Sequence, residues 1–247
     1  MSNSYGFGGE EIREESSWRY PLGIFVATLI LSAVFLYYYV GPSVEDLTGD
    51  AQSPAISDDP VAFTIANQPF ETPTNYTVFP RDRRGGDRDE VWLYALWPTM
   101  AGYSPARRVD FLENEPDTRR IDILLKTRSN AFTEDQRIDS LYMPQVIDER
   151  GSRTPYQLIK YEFVDQRSSV PTNGYAHTEL FLGETTDGDV MALMCFKELD
   201  TIESPECWRE YELNAGISVT YRFKRAYLDE WRLIDERIRS FMSSMQR

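Results

Sequence analysis

Histidine is nearly missing from this chain of 247 residues, where His177 stands alone. That scarcity excludes a histidine-rich metal centre and leaves one residue for any Ser-His-acid triad. No Gly-x-Ser-x-Gly elbow accompanies it, so His177 reads as a sheet residue and no catalytic residue is expected. Cysteine is also scarce. Cys195 and Cys207 cannot make a four-ligand zinc site with one distant histidine. A phosphate loop is absent too, because Gly85-Gly86 is not followed by the Lys-Ser or Lys-Thr that such a loop needs. Neither a metal nor a cofactor is expected.

Lysine is limited to Lys126, Lys160, Lys197 and Lys224, in a chain of net charge −14. Residues 41–247 hold 24 basic and 36 acidic groups, a net of −12. Nucleic acid and anionic lipid headgroups repel such a surface, so no nucleic-acid partner is expected. A basic protein partner suits it, and so does simple solubility.

Long apolar stretches are equally rare, with one exception. Residues 21–40, PLGIFVATLILSAVFLYYYV, carry no charge, and at about 1.5 Å per helical residue they span about 30 Å, the hydrocarbon thickness of a bilayer. Trp18 and Tyr20 precede this run and Tyr37, Tyr38 and Tyr39 close it, as interfacial aromatic belts do. A cleaved export signal is the rival reading. The acidic leader (Glu10, Glu11, Glu14, Glu15) and the absence of a small-x-small site oppose it, so an uncleaved single-pass anchor is expected. Arg13 and Arg19 lie just before the span, whereas the first basic residue after it is Arg81. The positive-inside rule then keeps residues 1–19 in the cytoplasm and sends the C-terminal bulk across the inner membrane, into the periplasm or another exported space.

Cys195 and Cys207 lie twelve positions apart around Ser204-Pro205. Flanking strands that form a hairpin would let the thiols meet. A disulfide there would contribute about 3 kcal/mol by loop entropy and would persist in an oxidising compartment. Two reduced structural thiols are the alternative.

Residues 41–60 read as a Pro-rich acidic linker. Pro42, Pro54 and Pro60 forbid a regular helix, and no Lys or Arg offsets Glu45, Asp46, Asp50, Asp58 and Asp59. The exported domain then occupies residues 61–247. VAFTI and NYTVF suggest edge strands, and further strands are expected at 90–97, 120–127, 157–164, 177–182, 190–196 and 217–224. Asn173-Gly174 and Asp187-Gly188-Asp189 supply turns, giving an antiparallel meander. The Asp187 and Asp189 pair lacks the spacing of a calcium loop. Residues 225–246 place Tyr227, Trp231, Ile234, Ile238, Phe241 and Met245 at steps of four and three, which predicts an amphipathic helix. That stripe either packs on the domain's own sheet or joins a second copy as a coiled coil; the membrane helix is the other route to an oligomer. The fold class is therefore mainly β (α+β), with one N-terminal transmembrane helix and a C-terminal helix closing the domain.

The candidate binding residues lie in FPRDRRGGDRDE and the strand that follows. Arg81, Arg83, Arg84 and Arg88 could grip a carboxylate or phosphate, with Trp92, Tyr94 and Trp97 as an apolar wall. A self-compensated turn is the simpler alternative, since Asp82, Asp87, Asp89 and Glu90 accompany them. The functional expectation is a non-catalytic binding or scaffolding component of a membrane-associated assembly, partnered by the lipid bilayer and an unidentified protein. Two others stay open: an anchored cell-envelope hydrolase using a carboxylate pair, and a sensor with an apolar pocket.

Overall fold

Where apolar residues alternate in this chain, strands form, and where they recur every three or four positions, helices form. The computed structural model describes residues 18–41, 43–164, 175 and 177–247. Arg13 and the Asn173-Gly174 turn lie outside the described residues. The chain divides into two compact units, Met1–Leu47 and Thr48–Arg247.

In the first unit, α1 (Arg19–Val40) is a 22-residue helix. Its side chains from Arg19 to Tyr39 are all exposed. It is long and apolar enough to cross a membrane. Gly41 ends it, its N–H donating to the Leu36 carbonyl. The short α2 (Val44–Thr48) follows, started by a reciprocal cap in which Asp46 N–H donates to Ser43 Oγ and Ser43 N–H to Asp46 Oδ2.

The second unit holds two sheets. The smaller is ordered β2-β1-β3, with β1 (Pro60–Ile65) between β2 (Gln68–Pro73) and the two-residue β3 (Gly86–Asp87). The larger has eight antiparallel strands, and its members are β4 (Glu90–Leu96), β5 (Arg120–Thr127), β6 (Ser152–Arg153), β7 (Ile159–Glu162), β8 (Thr178–Glu184), β9 (Val190–Phe196), β10 (Glu206–Asn214) and β11 (Ile217–Lys224). Their order is β4-β5-β11-β10-β9-β8-β7-β6, so residues 152–224 do form a meander of neighbours. The helices α3 (Arg108–Leu112), α4 (Glu134–Arg137) and α5 (Trp231–Met245) complete it. The whole is α+β, dominated by antiparallel sheet.

One face of the large sheet carries Leu93, Ile123, Leu125, Val219 and Leu193, and α5 closes over it with Trp231, Ile234, Ile238, Met242 and Met245. Each such fully buried side chain is worth about 1.5–3 kcal/mol. The apolar stripe of α5 is therefore occupied by its own domain, which removes it as a coiled-coil seam. Gly183 permits this closure, since a Cβ there would sit 2.6 Å from Leu158 Cδ2 and 3.1 Å from Trp231 Cη2.

Four expectations need correction. The 41–60 linker does hold a helix, since α2 fits into the stretch between Pro42 and Pro54 where no proline removes a backbone N–H. NYTVF is not a strand: residues 74–76 make a 3-10 turn closed by Thr77 N–H onto the Thr74 carbonyl, and the partner of β1 is the earlier, proline-bearing edge segment β2. Residues 225–230 wind as a 3-10 helix, kinked at Tyr227, before the α-helix starts at Trp231. A further strand, β10, went unread because Arg209, Glu210 and Glu212 interrupt its apolar pattern.

Strand β10 is also where the sheet forks. It pairs with β11 along its length but with β9 only at Cys207-Cys195 and Trp208-Met194. Beyond these pairs α4 fills the opening. The buried Glu134 carboxylate accepts from Ala192 N–H of β9 and, through both oxygens, from Arg209 of β10 at 2.9 and 2.7 Å. Arg137 donates to the Glu210 carbonyl and to Glu212. A disulfide joins Cys195 to Cys207 at the closed end.

Candidate functional site

The second face of the large sheet is covered at both ends and open between them. At one end residues of the 138–146 segment pack on Tyr161, Phe163, Leu180 and Met194. At the other, Val78, Tyr103 and Phe111 pack on Tyr94 and Leu96. Strand register runs a row from one cover to the other: Tyr94, Asp122, Arg222, Trp208 and Met194 stand side by side on β4, β5, β11, β10 and β9. All are alternate residues pointing away from the α5 core, and the charged Asp122 and Arg222 stand in the middle of the row.

A cleft of about 320 Å³ opens at the Tyr94 end, walled by Trp92, Tyr94 and Phe111 and floored by Arg120, Asp122 and Arg222. Tyr94 is only 6% exposed, yet its hydroxyl has no hydrogen-bond partner among the described residues. Burial pushes its phenol up to about 12, so it offers a neutral donor and acceptor. Arg222 is exposed and forms no ion pair among the described residues. Asp122 is clamped by Arg120, whose Nε lies 3.0 Å from it, and desolvation raises its carboxyl above the usual range against that pull. Glu206, at the rim, is held by Lys224 at 2.7 Å. Both carboxylates are thus engaged in ion pairs within the domain. The arrangement can receive a side chain with an apolar body and a polar or anionic tip.

The arginine cluster lies elsewhere. Arg81 pairs with Asp50 at 2.6 Å and Glu90 at 3.1 Å, Arg83 donates to Thr77 and to the Ser53 carbonyl, Arg84 to the Thr48 carbonyl and Arg88 to the Arg81 carbonyl. These bonds lay residues 48–53 along the domain, so the four guanidinium groups hold this chain's own backbone and acids. Gly85, at φ +65, brings its backbone against the Ala62 carbonyl, where a Cβ would sit 2.5 Å from the oxygen. The Gly-Gly turn has a packing reason. Trp92 does line the cleft, with its N–H and indole on Asp82 and Glu90. Trp97 does not join it: it belongs to the α5 core, donates to Glu230, and is 5% exposed. His177 is exposed beside the start of β8.

Sequence reasoning missed Phe111, Arg120, Asp122 and Arg222. The available signal was polar alternation on strands 120–127 and 217–224. Without the strand order nothing in the sequence brings Asp122 beside Arg222.

No protein-family model matches the chain, and no curated protein matches its sequence. Among solved structures, the chain is similar to Smlt3025, an immunity protein of the Stenotrophomonas maltophilia type IV secretion system, with a TM-score of 0.53. The two are 18% identical, over 77% of this chain and 94% of that one. At that identity the likeness speaks for a shared fold.

Proposed function

We propose that this chain is a membrane-anchored binding protein of the immunity type: an acidic β-rich domain that captures a protein partner without catalysis, on the exported side of the inner membrane. The observation that carries this reading is the fold shared with a secretion-system immunity protein over nearly all of that protein's length. The open strip between the two covers, with its cleft, supports a surface built for contact. The apolar helix α1 supports anchoring, and Arg19 at its first position supports a cytoplasmic N-terminus. The cysteine pair fits an oxidising space. In this reading the domain holds an effector at the membrane and blocks its action on the cell.

The test is deletion of the chain in its own host, grown in contact with kin whose secretion system is active. Survival should drop at least tenfold and return with the full chain. Equal survival of the deletion strain would overturn the reading. A reporter that is active only outside the cytoplasm, fused after Arg247, checks the topology: activity there supports export, and silence reverses it.

A further inference from the structure

Where β9 and β10 part, the mouth of the fork is a pocket of about 470 Å³. Asp187 and Asp189 of the β8–β9 turn, Glu134 and Asp135 of α4, and Tyr211 and Glu212 of β10 line it. Most of its charges are already matched: Glu134 by Arg209, Glu212 by Arg137, and Asp187 by Arg239. Asp135 and Asp189 are exposed and form no ion pair among the described residues.

Tyr211 gives an independent sign of a ligand. The residue is 5% exposed, yet its buried hydroxyl has no hydrogen-bond partner among the described residues. Arg209 and Arg239 lie over its ring at 5.2 and 5.3 Å and fix it in place. Leaving such a hydroxyl unsatisfied is costly, and an incoming donor would relieve it. Among the described residues no group of three or more His, Cys, Asp or Glu is placed to hold a metal ion.

We propose that the fork-mouth pocket is a socket for an arginine side chain of a basic protein partner, its guanidinium lying between Asp135 and Asp189 and donating to Tyr211 Oη. Arginine fits better than lysine because a planar fork of five donors serves two carboxylates and a phenol together, while an ammonium is compact and strongly hydrated. The chain's net charge of −14 complements such a partner. That the arginine comes from a protein rests on the immunity-type reading above.

The probe is acetyl-triarginine-amide, titrated by calorimetry into the full chain in detergent micelles, beside its trilysine and tricitrulline counterparts. D135N/D189N should bind triarginine about tenfold more weakly, and Y211F about threefold more weakly without loss of Tm. E149Q/E203Q, matched in charge and placed on exposed residues outside the pocket, should bind as the parent does. The socket is overturned if D135N/D189N binds like the parent, if E149Q/E203Q loses as much, or if trilysine or tricitrulline binds as tightly. Should D135N/D189N fail to fold, Y211F decides alone, and unchanged binding there overturns the proposal. The cellular test separates the two ideas: D135N/D189N that still protects sinks the socket, whereas a harmless deletion sinks the immunity reading and leaves the peptide result standing.

Discussion

Glu134 and Arg209 form a bidentate ion pair, Nε to Oε1 at 2.9 Å and Nη2 to Oε2 at 2.7 Å, in the gap where the central sheet divides. The Arg209 side chain is 1% exposed. Asp235 takes its remaining Nη1 at 2.6 Å, and Tyr221 and Arg239 complete the bonding of that aspartate. Burial opposes the charge on Arg209, but Glu134 and Asp235 outweigh it and hold the guanidinium above its ordinary value. Charges in such a place are tolerated because each nitrogen of Arg209 donates to a carboxylate and each carboxylate accepts further bonds.

Breaking this pair from one side should be severe. Arg209→Met leaves the buried Glu134 without an ion pair and takes from Asp235 one of its two arginines, and it is expected to cost about 3–5 kcal/mol in urea unfolding. The double variant with Glu134→Met should cost less than the sum of the two single variants. Additive losses in that cycle would show that the two side chains act independently.

The disulfide should matter because it holds the shorter flank of the fork. Only two residue pairs join β9 to β10, and one of them is Cys195-Cys207. Replacing both cysteines by alanine, or adding reductant, is expected to lower stability by about 3 kcal/mol, the loop-entropy value for a separation of 12 residues. Denaturation with and without reductant measures it, and coincident curves would refute the estimate.

Tyr94 invites an opposite pair of effects. Its hydroxyl has no partner among the described residues, so Tyr94→Phe should leave stability unchanged or raise it slightly. If the cleft receives the captured partner, the same variant should weaken binding about fivefold or more. Paired thermal melts and titrations with the partner check this, and a destabilised variant with normal binding would remove the cleft from the interface.

Acid should loosen the far side of the sheet through Glu179. Desolvation raises this carboxyl, yet Lys160 at 2.6 Å and Arg225 at 2.6 Å prevail and hold it below its ordinary value of 4.5. A carboxylate whose pKa is depressed by folding contributes stability that is complete above its unfolded pKa and disappears as pH falls through the folded one. The parent should therefore lose stability below about pH 4.5, the ordinary value, and Glu179→Gln should flatten that limb. Stability measured from pH 6 to pH 3 in both proteins decides it.

Much of this architecture was legible before any coordinates. The anchor candidate is written as an uncharged run, and strands 120–127, 190–196 and 217–224 match their observed bounds, the first and last because apolar and polar residues alternate there and 190–196 because it is a short apolar run that follows a turn. The stripe of the last helix was readable for the same reason. Strand β10 was hidden because its inward positions include an arginine, whose burial depends on a glutamate 75 residues away.

By itself, then, the sequence determined the local periodicities, the acidic balance, the apolar span and the pairing of neighbouring strands, all of which depend on residues close together in the chain. Only the tertiary structure decided that the arginine cluster faces its own backbone, that Trp92 and Trp97 part company, and that a cleft and a forked pocket exist. Each depends on strand order and on contacts across many tens of residues, where a side chain's role is set by what the fold brings beside it.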